Sequence, residues 1–176
     1  TIYGSTEYKK KLSSNYTNIN LDRFILGSKT KEYINKFIDL FKKNKYQDEL
    51  IEIHNRPSYV KPLKDLNSKI VLYYHNDPTT MSGSVSINER IDLINICTKI
   101  IFNSKWSKNQ FLKNLPLIHK TSSKLIVIYQ SINQKKINLK NKKKNIIFVG
   151  KLNHAKGYDL FGSVILKILD KYKDWT

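Results

Sequence analysis

Two groups of residues have types and spacings suited to chemistry. The first is the run Phe148-Val-Gly-Lys-Leu-Asn-His-Ala-Lys-Gly157, with an apolar stretch from Asn145 to Val149 at its start and a helical pattern after it. A loop that leaves a strand and enters a helix exposes unpaired N–H groups at the helix start, where the macrodipole also favours an anion. Gly150 lets the backbone pass close under a ligand, and Gly157 opens the helix without a side chain. Lys151 and Lys156, at the two ends of the loop, are spaced to clamp a diphosphate between them. An ordinary strand-to-helix connection with two solvated lysines has the same composition, so the residues alone leave both readings open. The second group is His54, His75 and Asn103, each at the end of a strand-like run. His54, His75 and Asp77 are also a short-range set of N and O donors, but no further histidine or Cys pair stands at ligand spacing, and no metal is expected. A Ser-His-Asp hydrolase is disfavoured by the lack of a G-x-S-x-G elbow.

The elements that must position these residues alternate along the chain. Tyr33, Ile34, Phe37, Ile38 and Phe41 recur at helical spacing, with Ser28 or Thr30 as N-cap, and Lys29, Lys31, Lys36, Lys42 and Lys43 on the outer face. Leu21 to Leu26 and Leu50 to Ile53 read as short strands, the second followed by His54-Asn-Arg-Pro57, where Pro57 stops pairing. Ile70 to Tyr74 is a stronger strand. Ser86-Ile-Asn-Glu89 has the capping-box pattern and opens a helix through Ile91, Ile94 and Cys97. A strand from Lys99 to Phe102, a helix capped by Ser104 and a strand from Leu125 to Tyr129 follow. Such alternation predicts an α/β fold, a Rossmann-like parallel sheet with helices on both faces. Ligands of such sheets bind beyond the carboxyl ends of the strands, where His54, His75 and Asn103 fall. Residues 1 to 20 are polar and show no period. Gln130 to Asn145 turns abruptly polar and Lys-rich, which reads as an interdomain linker. The expected organisation is a first domain over 1–130, a basic linker over 131–144 and the start of a second domain over 145–176.

Composition bounds the function classes. The 176 residues suffice for one domain with a real core. The formal net charge of +18 points to an anionic partner: nucleic acid, a phospholipid surface or a phosphorylated small molecule. Almost all of that charge is Lys, with only Arg23, Arg56 and Arg90 able to supply the forked contacts that favour nucleic acid. The Lys excess also runs through every segment, as a general compositional bias would. No apolar run approaches the roughly 20 residues needed to span a bilayer. The single Cys97 excludes an intramolecular disulfide and fits a reducing compartment.

Val149-Gly-Lys-Leu-Asn-His-Ala-Lys-Gly157 resembles the "G-[RK]-L-x-x-x-K-G" signature that opens the C-terminal domain of family 4 glycosyltransferases of the GT-B fold. Ile51-Glu-Ile-His-Asn-Arg-Pro57 resembles that family's "v-h-x-H-x-x-P" strand end, and Ile70-Val-Leu-Tyr-Tyr-His-Asn-Asp77 its next strand, "x-v-x-t-x-H-d". Ile100-Ile-Phe-Asn-Ser-Lys-Trp-Ser107 is similar to "v-i-x-x-S-x-x-x". Leu125-Ile-Val-Ile-Tyr-Gln-Ser-Ile-Asn133 stands where "v-i-x-N-G-v-d" is expected, with Gln130-Ser131 in place of Asn-Gly. The resemblance extends from about residue 22 to 172.

What the resemblance implies is specific. Gly150, Lys151, Lys156 and Gly157 would bind the donor diphosphate, Lys151 standing where Arg is usual and losing the bidentate fork. His75 would act at the donor sugar through hydrogen bonding, and His54, Arg56, Asn76 and Asp77 would lie on the acceptor side. The reaction would be transfer of a sugar, with retention, from a nucleotide-diphosphate sugar to a glycan or lipid-linked acceptor, as in cell-envelope polysaccharide biosynthesis. It needs no cofactor, and no nucleic acid partner is expected. A cytoplasmic location follows, with peripheral contact at the inner face of the membrane through the basic helix at 29–45 as one option and a merely solvated face as the other. The family's Gly-rich loop and paired glutamates are expected outside this chain, which would then be an inactive piece of a longer enzyme. The competing class is a non-catalytic basic α/β module for RNA or phosphorylated ligands.

Overall fold

The computed structural model describes residues 1–5, 16–21, 28–44, 49–133 and 142–176. The strand expected at Leu21 to Leu26 falls almost wholly, and the linker expected at 131–144 largely, outside the described residues. The chain divides into two compact units, Thr1–Ser131 and Ile132–Thr176.

The first unit is built on a four-stranded, all-parallel sheet in sequential order, β3 (Leu50–His54), β4 (Lys69–Tyr74), β5 (Lys99–Phe102) and β6 (Leu125–Val127). Two further strands, β1 (Ile2–Gly4) and β2 (Tyr16–Asn18), pair in parallel as a separate ribbon. Their three-residue length explains why no period shows in the sequence there. The helices are α1 (Lys29–Lys43), the single turn α2 (Val60–Leu63), α3 (Ile87–Ile96), α4 (Lys105–Leu112) and the single turn α5 (Leu117–Lys120). This is the expected Rossmann-like α/β class, a parallel sheet flanked by helices.

Alternation along the strands decides which side chains form the core. Ile51 and Ile53, then Ile70, Leu72 and Tyr74, then Ile100 and Phe102 are buried, and the ladder pairs them in register. Parallel neighbours need crossovers, which carry the helices between the strands, and the buried parity forms one packed face. Phe111 of α4 closes that face, fully buried against the rings of Tyr74 and Phe102 at 5.8 and 5.3 Å. Leu93 and Ile94 of α3 and Val60 and Leu63 of α2 complete it. The opposite parity, Glu52, His54, Val71, Tyr73 and Ile101, is half-buried or exposed.

The caps explain where the helices begin. The hydroxyl of Ser86 accepts from the N–H of Glu89 and the Glu89 carboxylate accepts from the N–H of Ser86, the complete capping box. Ser104 accepts from the N–H of Ser107 and starts α4. Ser28 is the N-cap of α1, without a side-chain bond. Arg90, buried in α3, donates to the carbonyls of Gln110 and Phe111 and so satisfies the end of α4.

The second unit corrects one expectation. The segment Asn145 to Val149 forms no strand; among the described residues its unit holds one α-helix, α6 (Tyr158–Lys171), and no ladder for it to join. Its terminal hydrogen bonds run to the chain end instead, Ile146 N–H to the Thr176 carbonyl and Thr176 N–H to that of Lys144. An apolar run becomes a strand only beside a neighbour. β6 is likewise shorter than expected, ending at Val127 rather than Tyr129.

Candidate functional site

Beyond the carboxyl ends of β3 and β4, strand parity and register bring two histidines together. His54 lies opposite Tyr73 in the ladder, and His75, two residues beyond Tyr73, keeps the same parity. The three rings stack nearly parallel: His54 on Tyr73 at 5.4 Å, Tyr73 on His75 at 4.7 Å, and His54 on His75 at 5.1 Å. The Tyr73 hydroxyl donates to the Ile128 carbonyl and ties the stack to the segment after β6.

Hydrogen bonds link four side chains in series. Glu52 Oε1 lies 2.9 Å from His54 Nε2. His54 Nδ1 lies 2.8 Å from His75 Nε2, and His75 Nδ1 lies 2.8 Å from Gln130 Nε2. Burial and the neighbouring His54 lower the pKa of His75 below 6.5, opposed by Glu52. The folded environment thus disfavours the imidazolium relative to the unfolded chain.

The backbone of His75 is held from both sides after the strand has ended. Its N–H donates to Asn55 Oδ1 at 2.7 Å, and its carbonyl accepts from Asn103 Nδ2 at 2.8 Å. Two side-chain amides therefore continue the ladder by one residue. Asn55 reaches this position with φ +53°, a left-handed conformation that Asn tolerates better than most residues. Its own N–H donates to the Tyr73 carbonyl.

The other residues expected on the acceptor side are placed separately. Arg56 is exposed and donates to the Asn55 carbonyl at 2.9 Å. Asp77 turns its carboxylate onto Thr79, accepting from both the N–H and the hydroxyl, and caps the short turn Pro78–Thr80. Asn76 is exposed, and its carbonyl accepts from the buried Ser107 hydroxyl. A cavity of about 1220 Å³ beside β3 reaches His54, Arg56 and His75 and is bounded by Tyr33 and Phe37 of α1, but not by Asn76 or Asp77. Among the described residues no three His, Cys, Asp or Glu side chains cluster as metal ligands would.

The loop of the second unit has a defined geometry of its own. Asn153 Oδ1 accepts from the N–H of Lys156, closing the turn His154–Lys156. Gly157 has φ +69° and no atom within 4 Å of where a Cβ would stand, so backbone conformation rather than space calls for glycine. α6 starts directly after it, and Lys151 and Lys156 are exposed. Asp159, in the first turn, pairs with His154 Nδ1 at 3.1 Å, and that bond holds its carboxyl below the ordinary value. A negative group thus already occupies the helix start, as the macrodipole favours.

The strand-end histidines and Asn103 stand out in the sequence. Glu52 and Asn55 do not, because their roles arise from the pairing of β3 with β4. Gln130 stands out only as a departure from Asn-Gly, and nothing local shows that it reaches His75, fifty-five residues away.

Comparison with protein-family models, curated protein sequences and solved structures returns no match.

Proposed function

We propose that this chain supplies the acceptor-side domain and the first donor-binding loop of a retaining, nucleotide-sugar-dependent glycosyltransferase of the GT-B fold. The observation that carries the reading is the junction of His54 and His75. The two strand ends that resemble the family's histidine motifs deliver their imidazoles to within hydrogen-bond distance at the carboxyl edge of a parallel sheet. That edge is where an open α/β sheet takes its ligand. The adjoining cavity supplies room for a sugar-sized group.

The roles follow from what each group offers. His75 hydrogen-bonds the donor sugar; His54 and Arg56 line the acceptor side, with Asn76 and Asp77 at its rim. Gly150 and Gly157 shape the loop, and Lys151 and Lys156 bring positive charge to a diphosphate. In the transfer step the bond from the anomeric carbon to the diphosphate oxygen breaks, and the acceptor oxygen bonds to that carbon on the same face. The leaving diphosphate takes the acceptor's proton. Charge develops on the diphosphate, where the two lysines act electrostatically and no enzyme nucleophile is needed. The acceptor is a glycan or a lipid-linked glycan, a cell-envelope polysaccharide precursor among them, handled in the cytoplasm at the inner membrane face. Among the described residues no helix is long and apolar enough to cross a membrane. The exposed Lys29, Lys31, Lys42 and Lys43 of α1 suit peripheral contact with anionic lipid.

A saturation-transfer screen of the protein that carries this chain against UDP-, GDP- and ADP-sugars tests the reading. Binding of one of them, competed by its free nucleotide diphosphate, is expected. Absence of binding by all three, together with tight RNA binding of steep salt dependence, would instead identify a basic nucleic-acid module.

A further inference from the structure

The series Glu52–His54–His75–Gln130 has a direction. A neutral imidazole carries one N–H and one bare nitrogen. A carboxylate only accepts, so the nitrogen that faces Glu52, His54 Nε2, must carry hydrogen. His54 Nδ1 is then bare, and His75 Nε2, 2.8 Å away, must donate to it. That leaves His75 Nδ1 bare as well, and it accepts from the Gln130 amide. The opposite direction would require an extra proton on His54, beside a second imidazole, or the His54 lone pair directed at the Glu52 carboxylate.

We propose that Glu52 and His54 are positioning residues that hold His75 in the Nε2–H tautomer, so that Nδ1 stands as a hydrogen-bond acceptor for a ligand hydroxyl. Gln130 occupies that acceptor in the free protein. Its side chain is exposed, so a hydroxyl can take its place while the freed amide returns to water. The Asn55 and Asn103 bonds fix the backbone of His75, and its stacking on Tyr73 fixes the plane of its ring. Tautomer is the remaining freedom, and the Glu52–His54 pair removes it. The hydroxyl half of the proposal rests on the transferase reading; the tautomer half rests on the hydrogen-bond series alone.

Long-range proton–nitrogen spectra of the 15N-labelled 176-residue chain, recorded about one pH unit above the ordinary imidazole pKa of about 6.5, read the tautomer directly. The expected result is one His75 tautomer with a bare Nδ1. His54→Phe keeps an aromatic ring in the stack but removes the acceptor, and should leave His75 as a mixture of both tautomers. His54→Asn places an amide oxygen near the lost nitrogen and should restore the single tautomer. Glu52→Gln, which no longer dictates which nitrogen of His54 carries hydrogen, should give a partial mixture. A wild-type His75 with hydrogen on Nδ1, or an unchanged tautomer in His54→Phe, overturns the proposal. For the hydroxyl half, Gln130→Ala should tighten nucleotide-sugar binding about three- to ten-fold, the weight of one competing hydrogen bond; unchanged or weaker binding overturns that half. If no nucleotide sugar binds wild type or variant, the transferase reading and the hydroxyl half fall together, whereas the spectra still decide the tautomer.

Discussion

At the scale of single residues, the site depends on groups that hold His75 rather than on His75 alone. Asn103→Ala removes one partly buried hydrogen bond to its carbonyl, and a loss of about 1 kcal/mol is expected in urea unfolding. Asn55→Ala removes a similar bond and also puts a Cβ-limited residue at φ +53°, so about 2–3 kcal/mol is expected, whereas Asn55→Gly keeps the backbone and should cost about 1. The lowered pKa of His75 has a definite sign. The unfolded chain holds the proton more tightly than the folded one, so stability rises with pH. The contribution of His75 is full above pH 6.5 and is lost as pH falls from there toward its folded value. Unfolding midpoints of wild type and His75→Phe compared across that window should converge on acidification. His54, His75 and Asn103 were legible because strand ends are legible. Glu52 and Asn55 were not, since a carboxylate and an amide beside a histidine have no meaning until the register of two strands is known.

At the scale of elements, local chemistry was readable wherever it was self-contained. The Ser86–Glu89 box and the Ser104 cap are local patterns and appear where the sequence places them. Ser86→Ala should destabilise by about 1 kcal/mol, seen as a lower urea midpoint with unchanged slope. Gly83 is a sharper case. It has φ +90°, and a Cβ there would lie 2.5 Å from the Ser58 N and 2.6 Å from its Cα. Both are backbone atoms, so Gly83→Ala should cost about 2–4 kcal/mol and lower the thermal midpoint. Nothing in the sequence around Gly83 reveals that the turn after β3 passes so close. Asn145 to Val149 shows the converse, a strand-like pattern without a strand. In that segment Ile147 and Val149 are exposed, and Phe148 packs on Phe161 of α6 at 5.3 Å. Apolar pattern gives the propensity to pair, and pairing needs a partner strand.

At the scale of the molecule, the first unit has a closed core and the loop unit does not. Among the described residues eighteen apolar side chains are buried in the former, and α6 buries none of its own. Cys97 reports on that core: it is fully buried at the end of α3, and burial raises its thiol pKa to about 12. Alkylation of the native chain at pH 8 should therefore be slow and should follow the fraction unfolded as urea is added. The parallel sheet was legible from the alternation of elements, because helical and strand periods alternate along the first unit. The β1–β2 ribbon was not, its strands being too short to carry a period.

Donor chemistry is decided by a turnover assay of the protein that carries this chain. Three forms are compared on the nucleotide sugar found by the screen: wild type, Lys156→Ala, and Lys167→Ala as an exposed lysine of α6 away from the loop. Loss of about 10²- to 10³-fold in turnover is expected for Lys156→Ala, the usual weight of one electrostatic donor at developing charge, with Lys167→Ala unchanged and all three equally folded. Equal turnover by Lys156→Ala and wild type would show that the loop does not hold the donor diphosphate, and no turnover by wild type with any nucleotide sugar would rule out the transferase.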